Sequence, residues 1–182
     1  IIESTEENIK AAREISGQLD EIKIDAVTTF WRTIKESIKN KLEKEGLCPE
    51  YCRFDSNRKL MTVHDIEVLV RKYVDRPNED NRYFGLSVKL RNDSHVCLLV
   101  EENIYFAIVS KLVDLPALTD WETGSERFVA WKYPYSGKKS LLSPDDDIWE
   151  LACSKNKSTD IVSCSLISQL SDEFVGIVRK LG

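Results

Sequence analysis

The sequence predicts an α+β fold, in which helices near both ends of the chain pack a mainly antiparallel sheet of four or more strands. Residues 83–111 contain three runs of strand-forming residues separated by turns of two or three residues. Turns of that length cannot make the crossover that a parallel pair needs, so these runs predict an antiparallel meander. Residues 127–133 form a fourth run, which Pro134 ends because proline cannot donate to a strand ladder.

The chain has the size of one domain. Its 182 residues contain no internal repeat, heptad array or low-complexity linker, and a typical domain holds about 100–150 residues. We therefore interpret 1–182 as a single α+β domain. Its parts are a helical region at 1–46, a mixed region at 47–82, the meander at 83–111, and a strand followed by the C-terminal helix at 127–182.

Composition is ordinary for a globular protein, with 42% hydrophobic residues, 31% charged residues and a net charge of −5. No apolar run approaches the ~18 residues of a membrane helix, so we expect no membrane partner. The first residues do not form a secretory signal, and the absence of an initiator Met suggests a fragment or a processed product. Five cysteines without dense spacing indicate reduced thiols and a cytoplasmic location.

Two helices are predicted before residue 46. Residues 4–7 (Ser-Thr-Glu-Glu) fit a capping box, and Gly17 can end the first helix in a left-handed conformation. Asp25 is the candidate N-cap of a second helix, which Gly46 ends. The second helix has one apolar face, composed of Val27, Phe30, Trp31, Ile34, Ile38 and Leu42.

The middle of the chain gives weaker signals. Residues 51–54 predict a short strand, followed by a turn at 55–57. Residues 65–74 suit a helix by apolar spacing and a strand by β-branched content, and we favour the helix. A polar loop at 76–81 then leads to the meander, whose first strand alternates apolar and polar residues as a strand with one buried and one solvated face does.

The last part of the chain predicts helices. Residues 143–147 (Ser-Pro-Asp-Asp-Asp) start a short helix containing Trp149. Ser158 or Thr159 caps a long final helix. Its apolar residues recur at spacings of three and four, and they are Ile167, Leu170, Phe174, Ile177, Val178 and Leu181.

We predict no metal site and no catalytic residue. Cys48 and Cys52 have a C-x3-C spacing that could supply half a zinc site, but no second Cys/His pair follows. Residues 145–147 could bind a hard cation, or their charges could oppose a helix dipole. His64 and His95 stand in no nucleophile motif, and His95 is expected to be solvated at the start of a strand.

Basic and aromatic residues cluster near the fourth predicted strand. Cations beside exposed aromatic rings could grip a phosphate backbone and stack on bases, whereas lysines on an edge strand could merely prevent unwanted pairing. The candidate nucleic-acid-binding residues are Arg127, Trp131, Lys132, Tyr133, Lys138 and Lys139.

Three short motifs resemble the C-terminal region of bacterial PD-(D/E)XK nuclease superfamily proteins found in phage-defence neighbourhoods. They are Thr-Phe-Trp-Arg-Thr-Ile at 29–34, Tyr-Phe-Gly-Leu at 83–86 and Trp-Lys-Tyr-Pro at 131–134. In that superfamily an Asp and an acidic-x-Lys tripeptide hold Mg²⁺ and activate water. Here Glu21-Ile22-Lys23 matches the tripeptide, but it lies in a linker between predicted helices and no strand bearing an Asp precedes it. Pro144-Asp145 matches the first motif, but no such tripeptide follows it.

The resemblance therefore implies a noncatalytic accessory domain, without a cofactor of its own, of a magnesium-dependent nuclease whose core lies upstream of Ile1. Such a domain would position DNA, bind a protein partner or assemble a homo-oligomer. A stand-alone protein–protein interaction module is the alternative, and a small hydrolase is the third hypothesis.

Overall fold

The computed structural model describes residues 6–54, 59–75, 84–91, 93–100, 104–110, 118–124, 128–134 and 160–182. Its helices are α1 (Glu6–Leu42), α2 (Ile66–Asp75) and α3 (Asp160–Leu181). Its strands are β1 (Glu50–Phe54), β2 (Leu60–Thr62), β3 (Phe84–Lys89), β4 (His95–Val100), β5 (Ile104–Val109), β6 (Glu122–Thr123) and β7 (Ala130–Lys132). Within these ranges the strands form one antiparallel sheet in the order β2-β1-β3-β4-β5-β7-β6, which confirms the predicted α+β fold.

The predicted meander is confirmed as β3, β4 and β5, which pair along their full lengths. Between β3 and β4 the Leu90 N–H donates to the Ser94 carbonyl at 2.7 Å. Asp93 has a left-handed φ of 59°, which aspartate tolerates better than most residues. Gly85 in β3 is required by close packing, because a Cβ atom there would lie 1.9 Å from the Leu98 carbonyl oxygen.

The three helices pack against one face of the sheet and form the main core with it. Trp31, Ile34 and Ile38 of α1 are fully buried there, as their spacing in the sequence predicted. α3 adds Phe174, whose ring lies 6.3 Å from that of Phe106 in β5. No helix among the described residues is both long and apolar enough to cross a membrane.

The other sheet face is also buried, which corrects the expectation of a solvated face on β3. Gly85 and Ser87 alternate with the apolar residues as predicted, but both are buried. Neighbouring strands add apolar side chains on the same face, and these side chains are buried as well. This second cluster comprises Cys52, Phe54, Cys97, Leu99, Tyr105, Ala107 and Phe128.

A single helix, α1, replaces the two that were predicted. Gly17 does not end a helix but lies within it, and Asp25 is an interior residue and not an N-cap. A glycine stops a helix by adopting positive φ, and Gly17 keeps helical geometry because the residues after it are good helix formers. Gly46 does end the helical region, with φ of 70° and its N–H donating to the Glu43 carbonyl at 3.0 Å.

The remaining predictions divide into confirmed elements and untested ones. The strand at 51–54, the helix at 65–74 and the final helix correspond to β1, α2 and α3. Asp65 caps α2, since its Oδ1 accepts the Glu67 N–H at 2.9 Å. The short strands β2 and β6 were not predicted. Residues outside the described ranges include the turn at 55–57, the loop at 76–81, the short helix at 143–147, Trp149, and the caps Ser4, Ser158 and Thr159.

Candidate functional site

The predicted nucleic-acid-binding strand presents its aromatic and basic residues on opposite faces of the sheet. Trp131 and Tyr133 pack edge to face, with ring centroids 5.2 Å apart, beside Tyr105 in the second cluster. Lys132 pairs with Phe106 across the ladder and therefore points to the helix-covered face. Three of the candidates lie outside the described residues, and they are Arg127, Lys138 and Lys139.

The ammonium group of Lys132 forms an ion pair with α3. Its Nζ donates to Glu173 Oε1 at 2.7 Å, and the two side chains are only 13% and 22% exposed. The same Nζ lies 5.5 Å from the ring centroid of Trp121 and 5.8 Å from that of Phe106. Lys132 therefore joins β7, the strand next to the β6 edge of the sheet, to α3. Nucleic-acid binding by this strand stays a prediction.

The two histidines do not converge on one site. His64 is exposed in the segment between β2 and α2, whereas His95 begins β4 on the face of the second cluster. His95 is half-buried and not solvated as expected, because that face is covered. Burial, followed by the charge of Lys89, holds the pKa of the His95 imidazole below its ordinary value. Asp145 and Asp146 lie outside the described residues.

The cysteines among the described residues are Cys48, Cys52 and Cys97, and they differ in exposure. Cys48 is exposed, while Cys52 is buried in the sheet, so the two thiols of the C-x3-C pair do not share one environment. A hydrogen bond with Cys52, together with burial, raises the pKa of the Cys97 thiol well above its ordinary value. A buried thiol with a raised pKa is unreactive. Across the described ranges no group of three or more His, Cys, Asp or Glu side chains is arranged to hold a metal ion.

The N-terminal half of α1 is exposed on every side. All side chains from residue 7 to residue 22 are exposed, including Ile15 (59%), Leu19 (50%) and Ile22 (53%). Together with Ala12 they follow each other at spacings of three, four and three residues, which places them on one side of the helix. We call these four residues the apolar stripe. An exposed stripe of this kind is typical of a helix that packs against another helix.

One described contact links this half of α1 to the rest of the fold. Arg71 of α2 donates from two nitrogens to the Glu21 carboxylate, at 2.8 and 3.0 Å. These hydrogen bonds hold the pKa of Glu21 below its ordinary value. The contact is exposed to solvent and leaves the apolar stripe uncovered.

A second candidate site is a cleft of about 540 Å³ between α1, β1 and the start of α2. Lys35 lies on one wall, with its Nζ 4.4 Å from the ring centroid of Tyr51. The side chains that line the cleft are Arg32, Lys35, Glu36, Tyr51, His64, Asp65 and Ile66.

Tyr51 is the buried member of this cleft. Its side chain is 3% exposed, and its hydroxyl has no hydrogen-bond partner among the described residues. Burial, reinforced by the charge of Glu36, raises the pKa of the Tyr51 phenol, which Arg32 opposes only in part. The hydroxyl is therefore protonated at neutral pH and able to donate a hydrogen bond.

Comparison with protein-family models, curated proteins and solved structures finds no match. A function for this chain therefore has to come from its own geometry.

The sequence analysis predicted neither the apolar stripe nor the cleft. The apolar stripe had a signal, since Ile15, Leu19 and Ile22 recur at helical spacing across Gly17. The cleft had none, because three separate segments of the chain form it.

Proposed function

We propose that this chain is a noncatalytic protein–protein interaction module that binds a helical segment of its partner along the apolar stripe of α1. The exposure of Ile15, Leu19 and Ile22 on a segment without any buried side chain is the observation that supports it. Soluble proteins seldom leave a contiguous apolar surface uncovered unless it binds something. Spacings of three and four residues match the way side chains of two helices interlock.

Helix energetics favour the same proposal. A helix of this length without tertiary packing is marginally stable in water, and Gly17 costs about 1 kcal/mol relative to alanine. Covering the exposed part of one Ile or Leu gains about 1 kcal/mol. A helix pair that covers roughly eight such chains gains about 8 kcal/mol before the entropic cost of association. We therefore expect weak and reversible binding.

Site-specific photo-crosslinking tests this proposal. A benzoylphenylalanine replaces Leu19 in the full protein, inside the cells that express it, and the control carries the same group at Lys10. Lys10 lies about 180° around the helix from Leu19, since nine residues at 100° each bring it to the opposite side. We expect one discrete adduct from position 19 and little from position 10.

The polar variant Ile15→Gln/Leu19→Gln provides the second half of the test. Both side chains are exposed, so we expect an unchanged melting temperature together with loss of the adduct formed through a crosslinker at Ile22. Equal crosslinking from positions 10 and 19, or an adduct that survives the polar variant, would contradict binding along the apolar stripe.

The resemblance to PD-(D/E)XK nuclease proteins would make this module an accessory domain of a nuclease. Such a domain would position DNA or assemble the protein, and a magnesium-dependent core would lie elsewhere in the parent chain. That wider role and a cytoplasmic location stay predictions. DNA binding also stays a prediction, for Arg127, Trp131, Lys132, Tyr133, Lys138 and Lys139.

A further inference from the structure

We propose that the apolar stripe of α1 binds the same stripe of a second copy of this chain, with the two helices antiparallel. The inference rests on the proposed function, because it names the occupant of the surface assigned there. Ala12, Ile15, Leu19 and Ile22 recur at spacings of three, four and three residues, which are the spacings of the a and d positions of a heptad. A two-fold axis at the height of Gly17 lets this series pack against itself.

The side chains of the stripe pair by size about that axis. Residues an equal number of positions before and after Gly17 lie at the same height in two antiparallel helices, because each residue rises about 1.5 Å. Ile15 then faces Leu19 of the other copy, and Ala12, the smallest side chain of the stripe, faces Ile22. Each contact occurs twice by symmetry, so no layer contains two alanines.

Charge is absent from the contacting side of this part of the helix. Five charged residues lie between positions 8 and 22, and all five occupy heptad positions b, c or f, which face away from the stripe. They are Lys10, Arg13, Glu14, Asp20 and Glu21. Ser16 and Gln18 border the stripe nearest the axis, where each faces the same residue of the other copy. A neutral border favours a contact between identical helices, because a charged residue there would face an identical charge.

The outer side of α1 is open where the start of the partner helix would lie. About the same axis, residues 7–9 of the second copy lie beside residues 25–27. Asp25 is exposed there, while Ile24 and Val27 are buried in the main core on the other side of the helix. A parallel pair would instead bring both packed bodies side by side from residue 24 and place Ala12 against Ala12. These features favour the antiparallel pair.

The contact is small, so we expect a weak dimer. The exposed segment at 7–22 is about 24 Å long and about 10 Å wide with its side chains. Such a segment covers less than the area of about 800 Å² that each partner contributes to a typical stable interface. Dimers should therefore form at micromolar or higher concentrations and dissociate on dilution.

Sedimentation equilibrium of the full chain at increasing concentration tests dimer formation. We expect a mass that rises from 20.9 kDa towards twice that value. Ala12→Glu and Ile22→Lys should each weaken the dimer by about tenfold or more, because each places an unpaired charge against an apolar side chain. Both positions are exposed, so the melting temperatures of the variants at monomer concentrations should match that of the unchanged chain.

A mixture of the two variants tests the direction of the helices. Equimolar Ala12→Glu and Ile22→Lys chains should form dimers again, because the new carboxylate of one copy faces the new ammonium group of the other. In a parallel pair these two groups would lie about ten residues apart along the helices, and the mixture would recover nothing. Lys10→Glu is the matched control and should leave the dimer unchanged, since Lys10 lies on the opposite side of the helix from Leu19.

The outcomes separate this inference from the proposed function. Failure of the mixture to recover dimers would overturn the antiparallel pairing. A chain that stays monomeric while benzoylphenylalanine at position 19 captures a different protein would overturn self-association and leave the proposed function standing. A monomeric chain that gives no intermolecular adduct from position 19 would contradict both.

Discussion

Single residues in this protein take their roles from neighbours that are distant in sequence. Lys132 belongs to a basic and aromatic stretch, yet its ammonium group lies between Glu173 of α3 and the ring of Trp121. β7 has only three residues, so few ladder hydrogen bonds hold this part of the sheet. The ion pair therefore stabilises the packing of β7 against α3.

We predict that Lys132→Met lowers the free energy of unfolding by about 2 kcal/mol, because it removes the ion pair between the Lys132 ammonium group and the half-buried Glu173 carboxylate. Urea denaturation measures the change, and Lys132→Met/Glu173→Leu should recover part of it. Lys39→Met is the matched control. Its pair with Glu43 is exposed, with a 3.6 Å separation, so the expected cost is below about 0.5 kcal/mol. Equal costs for the two lysine variants would contradict this role.

The continuity of α1 through Gly17 can be tested by substituting this glycine. A methyl group at Gly17 would meet no atom within 4 Å, so Gly17→Ala should stabilise the helix by about 1 kcal/mol. Amide hydrogen exchange in residues 7–22 should then slow by about fivefold. Gly46→Ala is the control and should lose stability, since φ at Gly46 is 70°. Faster exchange in Gly17→Ala would instead indicate that Gly17 ends a helix.

Periodic elements could be predicted from the sequence, and short or composite ones could not. β3 alternates apolar and polar residues, β4 and β5 are runs of strand formers between short turns, and α3 has helically spaced apolar residues. These patterns reveal the type of each element. β2 and β6 have three and two residues, which is too few for a period to emerge. The predicted helix end at Gly17 is wrong because the helix formers that follow keep Gly17 in helical geometry. The Tyr51 cleft depends on contacts between segments that only the fold brings together.

The whole molecule combines a packed body with an exposed extension of one helix. Helices cover one sheet face and the second cluster fills the other, so both faces of the central strands are buried. The exposed residues 7–22 of α1 are about 24 Å long, since each residue rises about 1.5 Å. The part of α1 that holds the fold together is therefore distinct from the part that offers the apolar stripe.

This division predicts that a chain lacking residues 1–20 still folds. Residues 7–20 contain no buried side chain, and the shortened chain keeps Glu21 for its contact with Arg71. The free energy of unfolding should therefore change by less than about 1 kcal/mol, and the denaturant m-value should stay nearly constant because residues 7–20 bury no side chain. Crosslinking through the stripe should disappear, since Ile15 and Leu19 are absent.

A longer truncation provides the control for that measurement. Removing residues 1–28 also deletes Ile24 and Val27, which are 4% and 1% exposed in the main core. Losing two core side chains should cost about 4 kcal/mol or more and lower the melting temperature clearly. If the chain without residues 1–20 were as unstable as the one without residues 1–28, the exposed half of α1 would have to pack against the body in solution. The apolar stripe would then belong to the core and could not serve as a surface for a partner.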